Sequence, residues 1–247
     1  MKIIVITDVH ANLPALEAAL QSIQAEGYDA LFHTGDAIAI GPYPAECVEV
    51  LLNTRNAQFV VGNHEAYFIN GLPTPQPAWM SDGEVQHQRW THARLGPHLR
   101  AAIAKWPYVL TYDFEGVKTT FVHYGLEPSG QDFRPIIKNA TAAELNNVFA
   151  SHDAALIFHG HNHRKSDVKG QTRYVNPGSL GCYHQAIARY CVVEFHHGQY
   201  QVEQRSVPYN DANLFDAFEQ RNVPERKFIC RTFFSRRSQT VIRHKPV

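Results

Sequence analysis

Histidine, aspartate and asparagine side chains recur in five short clusters along this chain. Each cluster directly follows an apolar run of the kind that forms a buried strand. Carboxylate and amide oxygens mixed with imidazole nitrogens suit Mn, Fe, Zn or similar ions, and suit a dedicated calcium site less well. The sequence therefore predicts a transition-metal site built from Asp8-Val9-His10, Gly35-Asp36, Gly62-Asn63-His64, His123 and His161-Asn162-His163.

These clusters hold more potential ligands than one ion needs. In α/β sheets, ligands bind beyond the carboxyl ends of the strands, so all five clusters can converge on one side of the fold. Because a carboxylate can bridge two ions, a dinuclear centre is the economical interpretation. The candidate metal ligands are Asp8, His10, Asp36, Asn63, His123, His161 and His163.

Histidine is the unusual feature of an otherwise ordinary composition. The 247 residues include 15 histidines, and 23 basic residues balance 23 acidic ones, so the formal net charge is zero. A neutral chain has no general attraction for polyanions or anionic lipid, which makes nucleic-acid binding an unfavoured function. A hydrophobic content of 44% allows a sizeable core and argues against disorder.

The cysteine spacing and the N-terminus indicate a cytoplasmic protein. The four cysteines are far apart and form no C-x-x-C pair, which argues against a disulfide framework and fits a reducing compartment. No apolar run approaches the ~20 residues that span a bilayer, so no membrane association is expected. The first residues run straight into Asp8 and lack the cleavage site of a signal peptide.

A β-α-β-α-β pattern positions the first three clusters. Such a pattern is typical of a partly parallel sheet with helices on its faces. Thr141 and Glu144 have the spacing of a capping box and predict a further helix through Phe149. Strands are predicted at 2–7, 30–34, 58–61, 108–112, 118–122, 155–159, 173–176 and 190–195, and the first two helices at about 13–26 and 44–53.

The remaining segments are interpreted as parts of one domain spanning residues 1–247. Residues 66–107 open with a Pro-rich loop and predict a helical insertion over one edge of the site. Residues 208–247 predict a C-terminal extension, a helix followed by a basic tail. Within strands, His33 and His159 are expected to be packed and hydrogen-bonded. Surface positions are expected for His87, His92 and His98 of the insertion. The basic residues of the C-terminal tail are Arg231, Arg236, Arg237, Arg243 and Lys245.

Taken in order, the five clusters resemble the motifs of the calcineurin-like metallophosphoesterase superfamily. The resemblance covers about residues 1–200, and it extends to a bacterial and archaeal branch of small phosphoesterases. It implies an α/β fold, a four-layer αββα sandwich of two mixed β-sheets flanked by helices. The further matching segments are Asp8 to Leu16, Gly41-Pro42-Tyr43-Pro44 and Asn176-Pro177-Gly178-Ser179.

The resemblance also implies a role for each site residue. Asp36 would bridge the two ions, and His64 would donate a proton to the substrate instead of binding metal. Glu65 would orient a neighbouring side chain. The motifs do not distinguish Mn, Fe, Zn, Ni or Co. The first ion would be held by Asp8, His10 and His163, and the second by Asn63, His123 and His161.

The implied reaction is hydrolysis of a small phosphodiester or phosphomonoester, nucleotides included, by a metal-bridging hydroxide. A dinucleoside-polyphosphate hydrolase remains an alternative. A protein phosphatase is a weaker one, because the Asp-Arg-Gly motif of those relatives is absent after Asp36. A non-catalytic scaffold is a third alternative, because a retromer subunit of this fold serves as a binding module without the catalytic histidine. The presence of His64 in this chain favours an enzyme instead. The oligomeric state is left open.

Asn12 and His184 are the candidate substrate contacts. Asn12 could bind a phosphate, although its place just before a helix favours a capping role. His184 follows a loop that in relatives packs near the metals. Relatives often have a Pro-Arg pair in that loop where this chain has Cys182-Tyr183-His184, so no phosphate-binding arginine is inferred. Tyr124 is a second departure, expected to shape the pocket.

Overall fold

Two β-sheets with helices on their outer faces form the part of the chain described by a computed structural model, residues 1–234. Within that range, no helix combines the length and apolarity that crossing a bilayer requires. In chain order the elements are β1 (Lys2–Ile6), α1 (Leu13–Glu26), β2 (Ala30–His33), α2 (Pro44–Leu52), β3 (Ala57–Phe59), α3 (Asn63–Asn70), α4 (Asp82–His92), α5 (Pro97–Ile103), β4 (Val109–Phe114), β5 (Val117–Val122), α6 (Ala142–Val148), β6 (Leu156–Phe158), β7 (Ser166–Lys169), β8 (Arg173–Asn176), β9 (Ile187–His196), β10 (Gln199–Pro208), α7 (Ala212–Gln220) and α8 (Arg226–Phe233).

Both sheets are five-stranded and mixed. The first has the order β10-β9-β1-β2-β3, in which β1, β2 and β3 are parallel and β9 is antiparallel to β1. The second has the order β4-β5-β6-β8-β7, in which β5, β6 and β8 are parallel. The sheets pack face to face, with the stacked rings of Phe32 and Phe121 3.9 Å apart. The predicted αββα sandwich is confirmed.

Strand β1 shows how the sequence produces these layers. Successive side chains of a strand point to opposite faces. Ile3 and Val5 pack between the two sheets, and Ile4 and Ile6 pack in the core that lies against α1 and α2. Because both faces are buried, β1 is a continuous apolar run and not an alternating one.

Helix α1 begins as its sequence predicts. The side-chain oxygen of Asn12 accepts a hydrogen bond from the Ala15 amide at 3.2 Å, and Pro14 occupies the first turn. Gly27, at a φ of 69°, ends the helix. Asn12 therefore satisfies a backbone donor that the first helical turn leaves unpaired.

The sequence patterns miss two strands and one helix. Strands β7 and β10 are partly exposed and rich in polar residues, so their periodicity is weak. A tight turn at His197 and Gly198, with φ of 49° and 76°, joins β9 to β10. The extension contains α7 and α8 where one helix is predicted. The boundaries of the insertion and extension stay predictions, and Arg236, Arg237, Arg243 and Lys245 lie outside the described residues.

The surface position predicted for His87 is wrong. Its Nε2 accepts from the Ile40 amide at 2.8 Å, and its Nδ1 donates to the Pro224 carbonyl at 3.3 Å. Burial lowers the pKa of His87 to about 4, so the ring is neutral and can do both. His87 thus connects α4 to a loop of the site, while His92 is half-buried and His98 is exposed.

His33 is packed, as predicted, but the hydrogen bonds expected of it are not found. Its ring lies 6.4 Å from the rings of Phe59 and Trp106, measured between centroids. Neither ring nitrogen has a hydrogen-bond partner among residues 1–234. Burial lowers the pKa of His33 to about 3, because the desolvation of the charged ring outweighs the opposing effect of the Asp8 and Asp36 carboxylates.

We expect His33→Phe to make the metal-free protein less sensitive to acid. In the unfolded chain this histidine takes up a proton as the pH falls below its usual pKa of 6.5, whereas in the native state it does so only near pH 3. Protonation therefore favours the unfolded state between these values, and the native protein loses stability as the pH falls from 6.5 to 3. At pH 4 the buried His33 lowers the free energy of unfolding by about 3 kcal/mol relative to its value at pH 8. Urea unfolding at pH 8 and pH 4 measures it.

A control perturbs the same cluster without a titrating group. Phe59→Leu should change the unfolding free energy equally at both pH values. If His33→Phe also has equal effects at the two values, the buried neutral histidine does not cause the acid sensitivity.

Candidate metal centre

The sequence-predicted ligands converge where strands of both sheets end. Several of them lie in tight strand-to-loop turns with left-handed backbone, a conformation that costs a non-glycine residue roughly 1–3 kcal/mol. Backbone hydrogen bonds hold two of these turns together, from Asp8 to the Gly35 carbonyl at 3.0 Å and from His10 to the Asp36 carbonyl at 2.9 Å. The left-handed residues are Asp8 (φ 52°), His10 (47°), Asp36 (60°), His161 (70°) and His163 (57°).

The first donor group contains Asp8, His10 and His163. The Nε2 atoms of the two histidines lie 2.8 Å apart. Asp8 Oδ1 lies 3.7 Å from each of them. Three lone pairs therefore face one small space, as the ligands of a single ion do.

The second donor group contains Asn63, His123 and His161. His123 Nε2 lies 3.2 Å from Asn63 Oδ1 and 3.1 Å from His161 Nδ1. Asp36 stands between the groups, its Oδ2 3.2 Å from His123 Nε2 and 3.8 Å from His10 Nε2. The donor types and their spacing fit two transition-metal ions that share the Asp36 carboxylate.

The protonation states of this cluster favour cation binding. Burial alone would raise the pKa of Asp8 and Asp36, but the surrounding histidines hold both well below the usual range. Burial lowers the pKa of His161 to about 4 and that of His163 to about 3, so both rings are neutral at pH 7. Metal ligands must be deprotonated, and these four groups already are.

His123 is the exception among these candidate ligands. Burial would lower its pKa, but the carboxylates of Asp36 and Asp8 outweigh that effect and raise it to about 9. Its Nδ1 donates to the Thr34 carbonyl at 2.8 Å, which turns Nε2 toward the cluster. A bound cation would therefore displace a proton from His123 Nε2.

Glu65 holds the loop that carries Asp36. Its fully buried carboxylate accepts the backbone amides of Asp36 at 2.8 Å, Ala37 at 2.9 Å, Ile38 at 3.2 Å and Gly62 at 2.9 Å. Burial and the nearby Asp36 carboxylate raise the pKa of Glu65 to about 7, while these hydrogen bonds act in the opposite direction. The sequence indicates an orienting role, and the structure identifies backbone amides as its partners.

His64 lies beside His10 and Asp36, and Gln88 of α4 contacts it. Gln88 Nε2 donates to His64 Nδ1 at 2.7 Å. Burial lowers the pKa of His64 to about 4, against the opposing effect of the Asp36 carboxylate. One ring nitrogen of His64 lies within 4.8 Å of donor atoms of His10 and Asp36. Sequence reasoning missed Gln88, because a glutamine in a surface-like helix carries no distinguishing signal.

The candidate substrate contacts have different surroundings. The amide nitrogen of Asn12 donates to the Gly181 carbonyl at 2.7 Å and to Tyr209 Oη at 3.0 Å, so its donors are engaged within the protein. His184 is exposed and lines a cavity of about 750 Å³ next to His163. Tyr124 is fully buried in the core beneath His161 and does not line this cavity.

Arg189 is a site residue that sequence reasoning missed. Its Nε donates to the Ser179 carbonyl at 3.0 Å, and its Nη2 donates to the His163 carbonyl at 3.1 Å. The guanidinium carbon lies 4.0 Å from the centre of the Tyr183 ring. This arginine therefore connects two loops and positions the backbone of His163.

Comparisons with known proteins agree with this geometry. A family model described as the calcineurin-like phosphoesterase superfamily domain matches residues 1–198. An uncharacterised protein of Methanocaldococcus jannaschii is 27% identical over 241 residues, which cover 90% of this chain and 94% of that protein.

Solved structures show the same likeness. A metallophosphoesterase from Sphaerobacter thermophilus has a TM-score of 0.72 at 27% identity, covering 95% of this chain and 99% of that one. A hypothetical protein from Pyrococcus horikoshii has a TM-score of 0.78 at 20% identity, covering 95% and 98%. The second likeness concerns the fold alone.

We expect Glu65→Gln to weaken both folding and metal binding. A glutamine amide would turn its own N–H groups toward backbone donors, leaving buried amides unpaired at a cost of about 2–4 kcal/mol. Losing the support of Asp36 should lower metal affinity roughly 10–100-fold. Urea unfolding of the metal-free protein and calorimetric titration with Zn²⁺ measure the two effects.

Glu144→Gln is the matched control. Glu144 also accepts a backbone amide at the start of a helix, but it lies on the surface at α6, away from the cluster. This control should change the free energy of unfolding much less than Glu65→Gln does, and it should bind Zn²⁺ normally. Equal behaviour of both variants would contradict the role assigned to Glu65.

Proposed function

Because the chain belongs to the calcineurin-like phosphoesterase superfamily, we propose that it is a dinuclear metal-dependent phosphoesterase acting on small phosphodiesters or phosphomonoesters. The observation that carries the proposal is the place of Asp36 Oδ2 between the two donor groups, 3.2 Å from His123 and 3.8 Å from His10. A bridging carboxylate at that position is what a two-ion phosphoryl-transfer centre requires.

Bound there, two ions would supply Lewis acidity toward the phosphoryl oxygens and a water of lowered pKa. The chain's own contribution begins with Asp8 and Asp36, whose negative charges offset part of the cation charge. Asn63 and the ligand histidines are neutral donors, so a net positive charge remains to attract a phosphate. This local charge explains how a chain of zero net charge can bind an anionic substrate.

His64 would protonate the leaving oxygen. At neutral pH its ring is uncharged, and the Gln88 amide group donates to Nδ1, so the single ring proton is on Nε2. To act as a general acid, His64 must first take up a second proton. Gln88 Oε1 is buried and has no hydrogen-bond partner within residues 1–234. A half-turn of that amide would present Oε1 to the new Nδ1–H and stabilise the protonated ring.

Two cavities beside the donor groups support a small substrate with separate anionic and organic parts. The first, next to His163, has a volume of about 750 Å³ and is lined by Arg164, Lys165 and His184. The second, next to His64, has a volume of about 740 Å³ and is lined by aromatic rings, including the largely exposed Trp79. Nucleotides combine these two chemistries, so they are the substrates we favour.

The alternatives differ in what they require. A dinucleoside-polyphosphate hydrolase would use the same donor groups with a longer substrate. A protein phosphatase is disfavoured, since the Asp-Arg-Gly motif after Asp36 is missing. A non-catalytic scaffold would not need His64 and its buried partner Gln88, which favours an enzyme. Mn, Fe, Zn, Ni and Co all remain candidates, and the cytoplasmic location stays a prediction.

A substrate panel tests the proposal. The wild-type protein, loaded in turn with Mn, Co, Ni, Zn and Mg, should hydrolyse at least one class among phosphomonoesters, phosphodiesters and dinucleoside polyphosphates. Asp36→Asn should lose bound metal and activity together, because the shared ligand is removed. Metal analysis and initial rates are the measurements.

Asp153→Asn is the control for this experiment, since Asp153 is a fully exposed carboxylate paired with Lys118. It should keep both metal and activity. Two ions retained by Asp36→Asn would contradict the bridging role. A wild-type protein that binds metal and hydrolyses none of the panel would favour the scaffold.

We expect His64→Ala to lose activity selectively with poor leaving groups. An alkyl leaving group needs a proton in the transition state, whereas a nitrophenolate leaves without one. The rate with alkyl esters should fall by about 10²–10⁴-fold, and that with nitrophenyl esters much less. Metal content should stay unchanged, and the exposed His98→Ala serves as the control. Equal losses on both ester types would argue against proton donation.

A further inference from the structure

A cysteine thiol stands beside the first donor group. The Sγ atom of Cys182 and ring nitrogens of His10 and His163 all lie within 4.8 Å of one another. Cys182 is only 3% exposed. This residue lies in the loop where relatives often have a Pro-Arg pair, so the family motifs do not account for it.

We propose that Cys182 is a further ligand of the first metal ion and that it makes this site selective for thiophilic metals. The inference rests on the proposed metal centre. The first ion would then be held by Asp8, His10, His163 and Cys182, together with the bridging carboxylate of Asp36.

The geometry fits one ion. Zinc binds sulfur at about 2.3 Å and imidazole nitrogen at about 2.0–2.1 Å, so ligand atoms on opposite sides of an ion lie about 4.4 Å apart. The Cys182 Sγ and the ring nitrogens of His10 and His163 all lie within 4.8 Å of one another, so they face a space of about the size that one ion occupies. Asp8 Oδ1, 3.7 Å from both imidazole nitrogens, and the shared Asp36 Oδ2, 3.8 Å from His10 Nε2, supply the oxygen donors of this ion.

The loop that carries Cys182 is fastened directly to the first donor group. Ser179 Oγ donates to the Asp8 carbonyl at 2.7 Å and accepts from the Cys182 amide at 2.8 Å. The Gly181 amide donates to the same Asp8 carbonyl at 3.1 Å. A Cβ on Gly181 would collide with the Val9 carbonyl, so only glycine permits this close approach.

Arg189 fixes the other side of the loop. Its Nη2 donates to the His163 carbonyl at 3.1 Å and to the Cys182 carbonyl at 3.4 Å. One guanidinium group thus holds the backbone of a histidine ligand and that of the cysteine. The thiol is therefore positioned by the same contacts that position the first donor group.

The chemistry of sulfur sets the expected selectivity. On binding, the thiol S–H bond breaks, a sulfur–metal bond forms and the proton passes to solvent. Thiolates favour Zn²⁺, Co²⁺ and Fe²⁺, whereas Mn²⁺ and Mg²⁺ prefer oxygen ligands. The second donor group offers only nitrogen and oxygen, so the two ions of one molecule can differ.

Cobalt substitution tests the inference without any substrate. We expect the full-length wild-type protein, stripped of metal by a chelator and titrated with Co²⁺, to develop a near-ultraviolet sulfur-to-cobalt charge-transfer band. Cys182→Ser should lose that band while still binding cobalt. Cys230→Ser, which alters a half-buried cysteine in α8, should keep it.

A competition experiment measures the selectivity. The preference of the first site for Zn²⁺ over Mn²⁺ should fall at least about tenfold in Cys182→Ser, since the only soft ligand is lost. The wild-type spectrum alone is decisive if the variant does not fold. A wild-type protein that binds two Co²⁺ ions without the band would show that the thiol only packs, and the inference would be wrong. A band that persists in Cys182→Ser would also overturn it.

These outcomes separate the inference from the proposed function. A charge-transfer band in a protein that hydrolyses no phosphate ester would support the cysteine ligand and contradict the enzyme. Hydrolysis by a cobalt-loaded protein without the band would support the enzyme and contradict the cysteine ligand.

Discussion

The buried carboxylate of Glu65 is the contact on which the donor cluster depends. It joins the loop after β2 to the start of α3 by accepting four backbone amides, three of them from residues 36–38. That loop carries Asp36, and α3 carries Asn63 and His64. A buried acid is costly unless its oxygens are hydrogen-bonded, and here the loop amides provide those bonds. The same amides would otherwise be unpaired, so the acid and the loop stabilise each other.

The cluster combines groups that burial would ordinarily keep apart. Asp8 and Asp36 are negatively charged and fully buried, and the rings around them include the positively charged His123 and the neutral His161 and His163. Protein interiors tolerate such charges only when counter-charges are near. Two cations would take the place of the His123 proton, and they would accept the lone pairs of the nitrogen and oxygen atoms that face each other in the two donor groups. The electrostatics and the donor geometry therefore point to the same occupant.

The surroundings of the cluster are less regular than the strands that carry it. The insertion provides Gln88, which contacts His64, and His87, which holds the Ile40 amide. The loop at 176–184 provides the contacts to Asp8 and His163. Both segments lie outside the β-α-β frame. Segments of this kind vary more in sequence than the strands and helices that they connect. Differences in substrate and metal among proteins of this fold are therefore expected to arise here.

The sequence by itself determined most of the strands and the set of strand-end side chains that converge, because buried strands and their polar ends have local patterns. The αββα fold followed from the family resemblance that those side chains carry in their order. Asn12 at the start of α1 and the capping box of α6 are equally local, and both were predictable. Only the tertiary structure decided that Glu65 supports the Asp36 loop, that Gln88 contacts His64, that His87 is buried, and that Cys182 lies beside His10. Each of these contacts joins residues far apart in the chain, apart from the link between Glu65 and Gly62. No periodicity or spacing rule encodes such a contact, since it exists only once the sheets have packed.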